Sequence, residues 1–123
     1  MVNAKIGGGW LASVEALPDE RILLKYASNH TQSRRRAVGG RLFVTSDRIV
    51  FLPHRLDALT GGRQWAAMVE QVVRVSVEPK GGDTFGGGLR DRLRVDTDTG
   101  CALFVVNKVA QVRSEMAAAL DVS

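Results

Sequence analysis

The chain has 123 residues, 45% of them hydrophobic and 24% charged, which suits one domain with a packed core and is too short for two. Its longest apolar runs, Ala102–Val106 among them, fall far short of the roughly 20 residues that span a bilayer. No sustained apolar stretch follows Lys5 to mark a secretory signal, and the single cysteine, Cys101, excludes an internal disulfide or a Cys-based metal cluster and suits a reducing cytoplasm.

The net charge of +4 comes from arginine, which supplies all but four of the 17 basic residues. Taken alone, so mild a balance does not establish nucleic-acid binding.

Residues 1–18 read as an appendage to a domain spanning 19–121. After Gly7-Gly8-Gly9, the residues Trp10, Leu11, Val14 and Leu17 fall at the spacing of a short amphipathic helix, which Pro18 ends. Arg21–Ser28 is a strand, with Ile22, Leu24 and Tyr26 on one face, and the polar Asn29–Ser33 is a loop. Ala37–Thr45 and Arg48–Leu52 are strands joined at Ser46-Asp47, hence an antiparallel hairpin. The four apolar residues of Arg48–Leu52 imply burial on both faces. Pro53 closes that strand, and His54–Arg63 is a loop.

Gln64–Ala66 is a short strand and Ala67–Gln71 a helical turn. Val72–Glu78 sets Val73, Val75 and Val77 against Val72, Arg74 and Ser76. Pro79–Gly88 is a glycine-rich loop with Phe85 at its tip, a candidate contact for a partner or membrane. Leu89–Thr97 places Arg90, Arg92 and Arg94 on one face, and a turn at Asp98–Gly100 leads to the strand Cys101–Val106. Asn107 then caps a helix whose stripe is Val109, Val112, Met116 and Leu120. Six or seven antiparallel strands and one closing helix predict a small barrel or sandwich.

The run Gly40-Arg41-Leu42-Phe43-Val44-Thr45-Ser46-Asp47-Arg48-Ile49-Val50-Phe51 resembles the core signature of the GRAM domain. Met68–Val72 resembles that family's segment before its middle strand, and Asp96–Gly100 with the strand and helix that follow resembles its end. The resemblance covers Glu20 to Leu120. It implies a mainly β, pleckstrin-homology-like fold: a partly open antiparallel barrel of about seven strands capped by a C-terminal helix. It also implies a binding module rather than an enzyme, although fold alone does not fix function.

From Arg34 to Arg63 seven arginines face only two acids, Asp47 and Asp57, a local charge of +5. Arg34, Arg35 and Arg36 lie before one strand of the hairpin, and His54, Arg55 and Arg63 follow the other. The resemblance places both segments at one open end of the barrel. Lys25 followed by Arg34–Arg36 loosely matches the basic pattern of phosphoinositide-binding relatives of that fold. The guanidinium fork suits phosphate, so Lys25, Arg34, Arg35, Arg36, His54, Arg55 and Arg63 are the candidate ligand-binding residues.

The expected partner is an anionic lipid or membrane surface, giving a cytoplasmic, peripherally attached protein. The alternative is another protein or a second copy, as a homodimer. Nucleic acid is not expected, because the seven aromatics include Phe43, Phe51 and Phe104, which belong to the core. Two histidines are too few for a typical metal site, and no cofactor is expected. Gly81–Gly88 lacks the Gly-Lys-Ser/Thr ending and the following helix of a phosphate loop. Ser46, Asp47 and His54 lack a nucleophile elbow, and Cys101 sits within an apolar strand, where a thiol is usually inert.

Overall fold

Alternation of apolar and polar residues lays down a sheet, and the places where alternation gives way to continuous apolar runs show where both of its faces are covered. The computed structural model describes residues 5–33, 36–59, 61–80 and 90–122, and their side chains except at 32, 33 and 36. In chain order the elements are β1 (Lys5–Gly7), β2 (Ser13–Glu15), β3 (Ile22–Ser33), β4 (Arg36–Thr45), β5 (Arg48–Pro53), α1 (Arg55–Leu59), β6 (Trp65–Met68), β7 (Val72–Glu78), β8 (Arg92–Thr97), β9 (Gly100–Val105) and α2 (Val109–Leu120).

β1 and β2 pair with each other. The other seven strands form one antiparallel sheet in the order β6-β5-β4-β3-β9-β8-β7. β3 is the pivot: it pairs with β4 along its length and with β9 at Asn29 and His30. β6 and β7 are the two edges, joined by a 3-10 turn at Val69–Gln71 but not paired, so the sheet stays open between them. α2 lies over β7 and β8. The antiparallel strands and closing helix are those the strand pattern predicts, and the open, helix-capped arrangement is the pleckstrin-homology-like one that the resemblance implies.

The core has two parts. Leu42, Val44, Ile49, Phe51, Val75, Leu93, Val95 and Phe104 fill the main one, closed by Val112 and Met116 of α2. The helical stripe behaves as expected, with Val109 and Leu120 packed at its ends. Arg113 Nε donates to the carbonyl of Val75 at 3.0 Å, and the Tyr26 hydroxyl donates to Glu115 at 2.8 Å. On the opposite face of β4 and β5, Phe43, Val50 and Leu52 form a second cluster with Ile6 and Leu11. The continuous apolar run of β5 is thus buried on both sides, as its composition requires.

What covers the second face differs from expectation. Residues 5–15 form the β1–β2 hairpin, with Ile6 opposite Val14, and not an amphipathic helix. Gly7, at φ 84°, could not carry a side chain, because a Cβ would collide with the carbonyl of Ala12 and the side chain of Leu52. The turn between the two strands then sends Leu11 inward and leaves its neighbour Trp10 outward.

Asn29–Ser33 is strand rather than loop, because pairing with β4 and β9 overrides its polar composition. His54–Arg63 contains α1. A register shift between Val72 and Arg74 breaks the alternation of β7, which buries Val72 and Val75 and leaves Val73 63% exposed. α2 is capped by Lys108 at φ 53°, not by Asn107. Arg92 and Arg94 share one face of β8, where Arg94 pairs with Asp96 and with Glu78 of the neighbouring strand at 2.9 and 3.3 Å, whereas Arg92 is buried and Arg90 precedes the strand. Cys101 is exposed, not buried within its strand. The glycine loop at 81–88 and Phe85 lie outside the described residues.

Candidate functional site

The site begins with how the hairpin turn is fastened to the barrel. Three successive glycines, Gly7, Gly8 and Gly9, take positive φ, a conformation that favours glycine. The Leu11 amide donates to Gly8 at 3.1 Å and the Ala12 amide to Pro53 at 2.9 Å. The Arg55 amide donates to the Trp10 carbonyl at 2.9 Å. Leu11, bridged to His54, is the buried anchor, and Trp10 beside it is held out at 86% exposure.

α1 is held just as firmly. Its Asp57 carboxylate accepts the amide of Gly39 at 3.0 Å, the Gly39 carbonyl accepts the amide of His54 at 2.9 Å, and the Asp57 carbonyl accepts Gly62 at 2.6 Å. Leu56 and Leu59, three residues apart and therefore on one face, are 76% and 83% exposed. Trp10, Gly9, His54, Arg55, Leu56 and Asp57 line an open cleft of about 770 Å³. The structure thus builds an apolar surface at one end of the barrel from two elements fixed to β4 and β5, with basic side chains beside it.

Of the predicted site residues, His54 and Arg55 line this cleft, and Arg63 is exposed in the connection that follows α1. Arg36 opens β4 opposite Ser33. Arg34, Arg35 and the side chain of Arg36 lie outside what the structure describes. Gly39, however, touches α1, so the end of the β3–β4 ladder, three residues further on, reaches about 10 Å beyond that contact.

Lys25 does not join this group. It stands on the outward face of β3 opposite Phe43 and shares a second cleft with Arg41, on the other side of the hairpin turn. The basic residues singled out by composition therefore divide between two places.

Sequence reasoning missed Leu56 and Leu59 as surface residues, and it set Trp10 on an amphipathic helix where the structure has a tight turn. The three glycines before Trp10 were the available signal for a tight turn, and the Leu56–Leu59 spacing was the signal for a helical face. It also missed His30. That ring packs on Phe104 at 4.8 Å, Phe51 at 5.3 Å and Trp65 at 6.2 Å, and its Nδ1 is buried with no hydrogen-bond partner among the described residues. Burial lowers its pKa to about 4, so it is a neutral core residue.

Ser46 and Asp47 lie at the opposite end of β5 from His54. Ser46 serves the turn there, accepting the Arg21 amide at 3.0 Å. Among the described residues no cluster of His, Cys, Asp and Glu is suited to a metal ion, and no helix is long and apolar enough to cross a membrane.

No protein-family model matches the chain, and no curated protein matches it. Among solved structures it is similar to the crystal structure of the C-terminal domain of an unknown protein from Leishmania infantum. That likeness has a TM-score of 0.58 at 16% identity and covers 82% of this chain and 84% of the other. At that identity it shows a shared fold.

Proposed function

We propose that the domain is a non-catalytic, GRAM-like module that docks on an anionic membrane surface from the cytoplasmic side. Trp10, Leu56 and Leu59 enter the interface, and Arg55 and Arg63 face the headgroups, with the Arg34–Arg36 run of the sequence adding positive charge. The observation that carries this reading is the exposure of three large apolar side chains, 76–86% each, on two anchored elements beside arginine. Exposed apolar patches on monomeric domains mark contact sites, and Trp, Leu and Arg together are the chemistry of a bilayer interface. Full burial of a leucine contributes about 1.5–3 kcal/mol, and an arginine near an anionic leaflet about 1 kcal/mol. Contributions of that size give reversible, peripheral attachment.

Cosedimentation with phosphatidylcholine vesicles containing 30% phosphatidylserine tests the reading. Wild type is expected to pellet, and a Trp10→Ser/Leu59→Ser variant is expected to lose at least tenfold in partitioning. Equal partitioning of both proteins contradicts it.

The alternative is a protein-interaction or self-association module. It is favoured by β7, a sheet edge among the described residues, where Val73 is 63% exposed. A dimer in light scattering that survives Trp10→Ser but is abolished by Val73→Lys selects this alternative.

A further inference from the structure

Lys25 and Arg41 occupy diagonal positions on neighbouring strands, since Lys25 faces Phe43 and Arg41 lies two residues further along β4. Alternation puts both on the outward face, and both are exposed. Diagonal neighbours stand about 7–8 Å apart, a spacing at which an ammonium and a guanidinium on long stems can meet on one small anion. Neither side chain makes an ion pair or hydrogen bond among the described residues, whereas Arg48 and Arg94 are both matched to carboxylates.

The cleft around them, about 480 Å³, is lined by Gly7, Gly8, Leu11, Ile22, Leu24 and Phe43, with no acidic residue. Its volume is that of a small-ligand site. Two cations over an apolar wall, bounded on one side by the glycine turn, define a preference in charge and shape.

We propose that this cleft binds a phosphate monoester, with the phosphate between Lys25 and Arg41 and its carbon skeleton against Leu11 and Phe43. A monoester carries about −1.5 to −2 at pH 7, which matches the two cations, whereas a carboxylate supplies only −1. The guanidinium of Arg41 takes two phosphate oxygens and Lys25 acts as a point charge. This site stands apart from the Trp10–Leu59 surface, so it holds or fails independently of membrane docking.

The test is an amide-shift titration of the full-length, isotope-labelled protein with inorganic phosphate and with glycerol 3-phosphate at constant ionic strength. Saturable shifts are expected at Gly7, Gly8, Lys25 and Arg41. Affinity should be at least tenfold weaker in Lys25→Gln/Arg41→Gln, whose substitutions lie on the surface and should leave the melting temperature unchanged. Affinity should also fall between pH 7 and pH 5, as the phosphate loses its second charge near pH 6. Non-saturating shifts, or the same affinity in the double variant, overturn the proposal.

Vesicles containing phosphatidic acid or phosphatidylglycerol at equal charge identify the source. Preference for the monoester lipid that the double variant abolishes assigns a lipid headgroup, and saturable binding in solution with no such preference assigns a soluble phosphate.

Discussion

Glu20 shows how much one side chain can organise. It is almost wholly buried and collects the Arg48 guanidinium at 2.9 and 3.0 Å, the Thr45 hydroxyl at 2.6 Å and the Leu17 amide at 2.9 Å. Thr45 in turn accepts the amides of Asp47 and Arg48, so the β4–β5 turn is held by Thr45 rather than by Ser46 and Asp47 alone. Burial by itself would raise the Glu20 pKa, but the hydrogen bonds from Arg48, Thr45 and Leu17 outweigh it and hold the carboxyl below its ordinary 4.5.

His30 is displaced in the same direction by burial, to about 4 from 6.5. The unfolded chain binds the His30 proton first as pH falls, so stability is full above about 6.5 and declines towards pH 4. The interval amounts to about 3 kcal/mol. The Glu20 contribution is present above 4.5 and is lost only below it. Urea unfolding midpoints are therefore expected to fall from pH 6.5 downward, and His30→Leu should remove the part of that fall above pH 4.5. An unchanged pH profile in His30→Leu contradicts this account.

At the scale of elements, the N-terminal hairpin is part of the folded body because it covers Phe43, Val50 and Leu52. Ile6→Ala should cost about 2–3 kcal/mol in urea unfolding, as for other buried aliphatic truncations. Trp10→Ser should cost under about 0.5 kcal/mol, because its side chain is exposed. Equal effects would mean that the hairpin is not anchored as described.

The hairpin is also where sequence and structure part. Trp10, Leu11, Val14 and Leu17 satisfy a helical spacing, and only the tight turn through Gly7–Gly9 makes the extended path the one that buries Ile6 and Leu11. β4, β5 and α2 were legible because their apolar periods run unbroken. Asn29–Ser33 and the irregular β7 were not, since long-range pairing and a bulge decide them. In the site, the arginine-rich segments drew attention to His54, Arg55 and Arg63, but nothing local says that Lys25 and Arg41 share a separate cleft. Nor does any local signal say that Trp10 meets α1; the carbonyl of Trp10 and the amide of Arg55 make that meeting.

For the whole molecule, the sheet order places the N-terminal hairpin turn, α1 and the β3–β4 end together, away from the β4–β5 turn held by Glu20. Tyr26 and Arg113 tie α2 down over β7 and β8, leaving that end of the barrel to present its apolar and basic side chains. The central claim is that Trp10 enters a membrane interface. It is tested most directly by Trp10 fluorescence in a Trp65→Phe background, where Trp10 is the only indole. Addition of vesicles containing 30% phosphatidylserine should shift the emission to the blue and shield it from an aqueous quencher, while neutral phosphatidylcholine vesicles should do so much less. Emission and quenching that remain those of a solvated indole at saturating anionic lipid would contradict the claim.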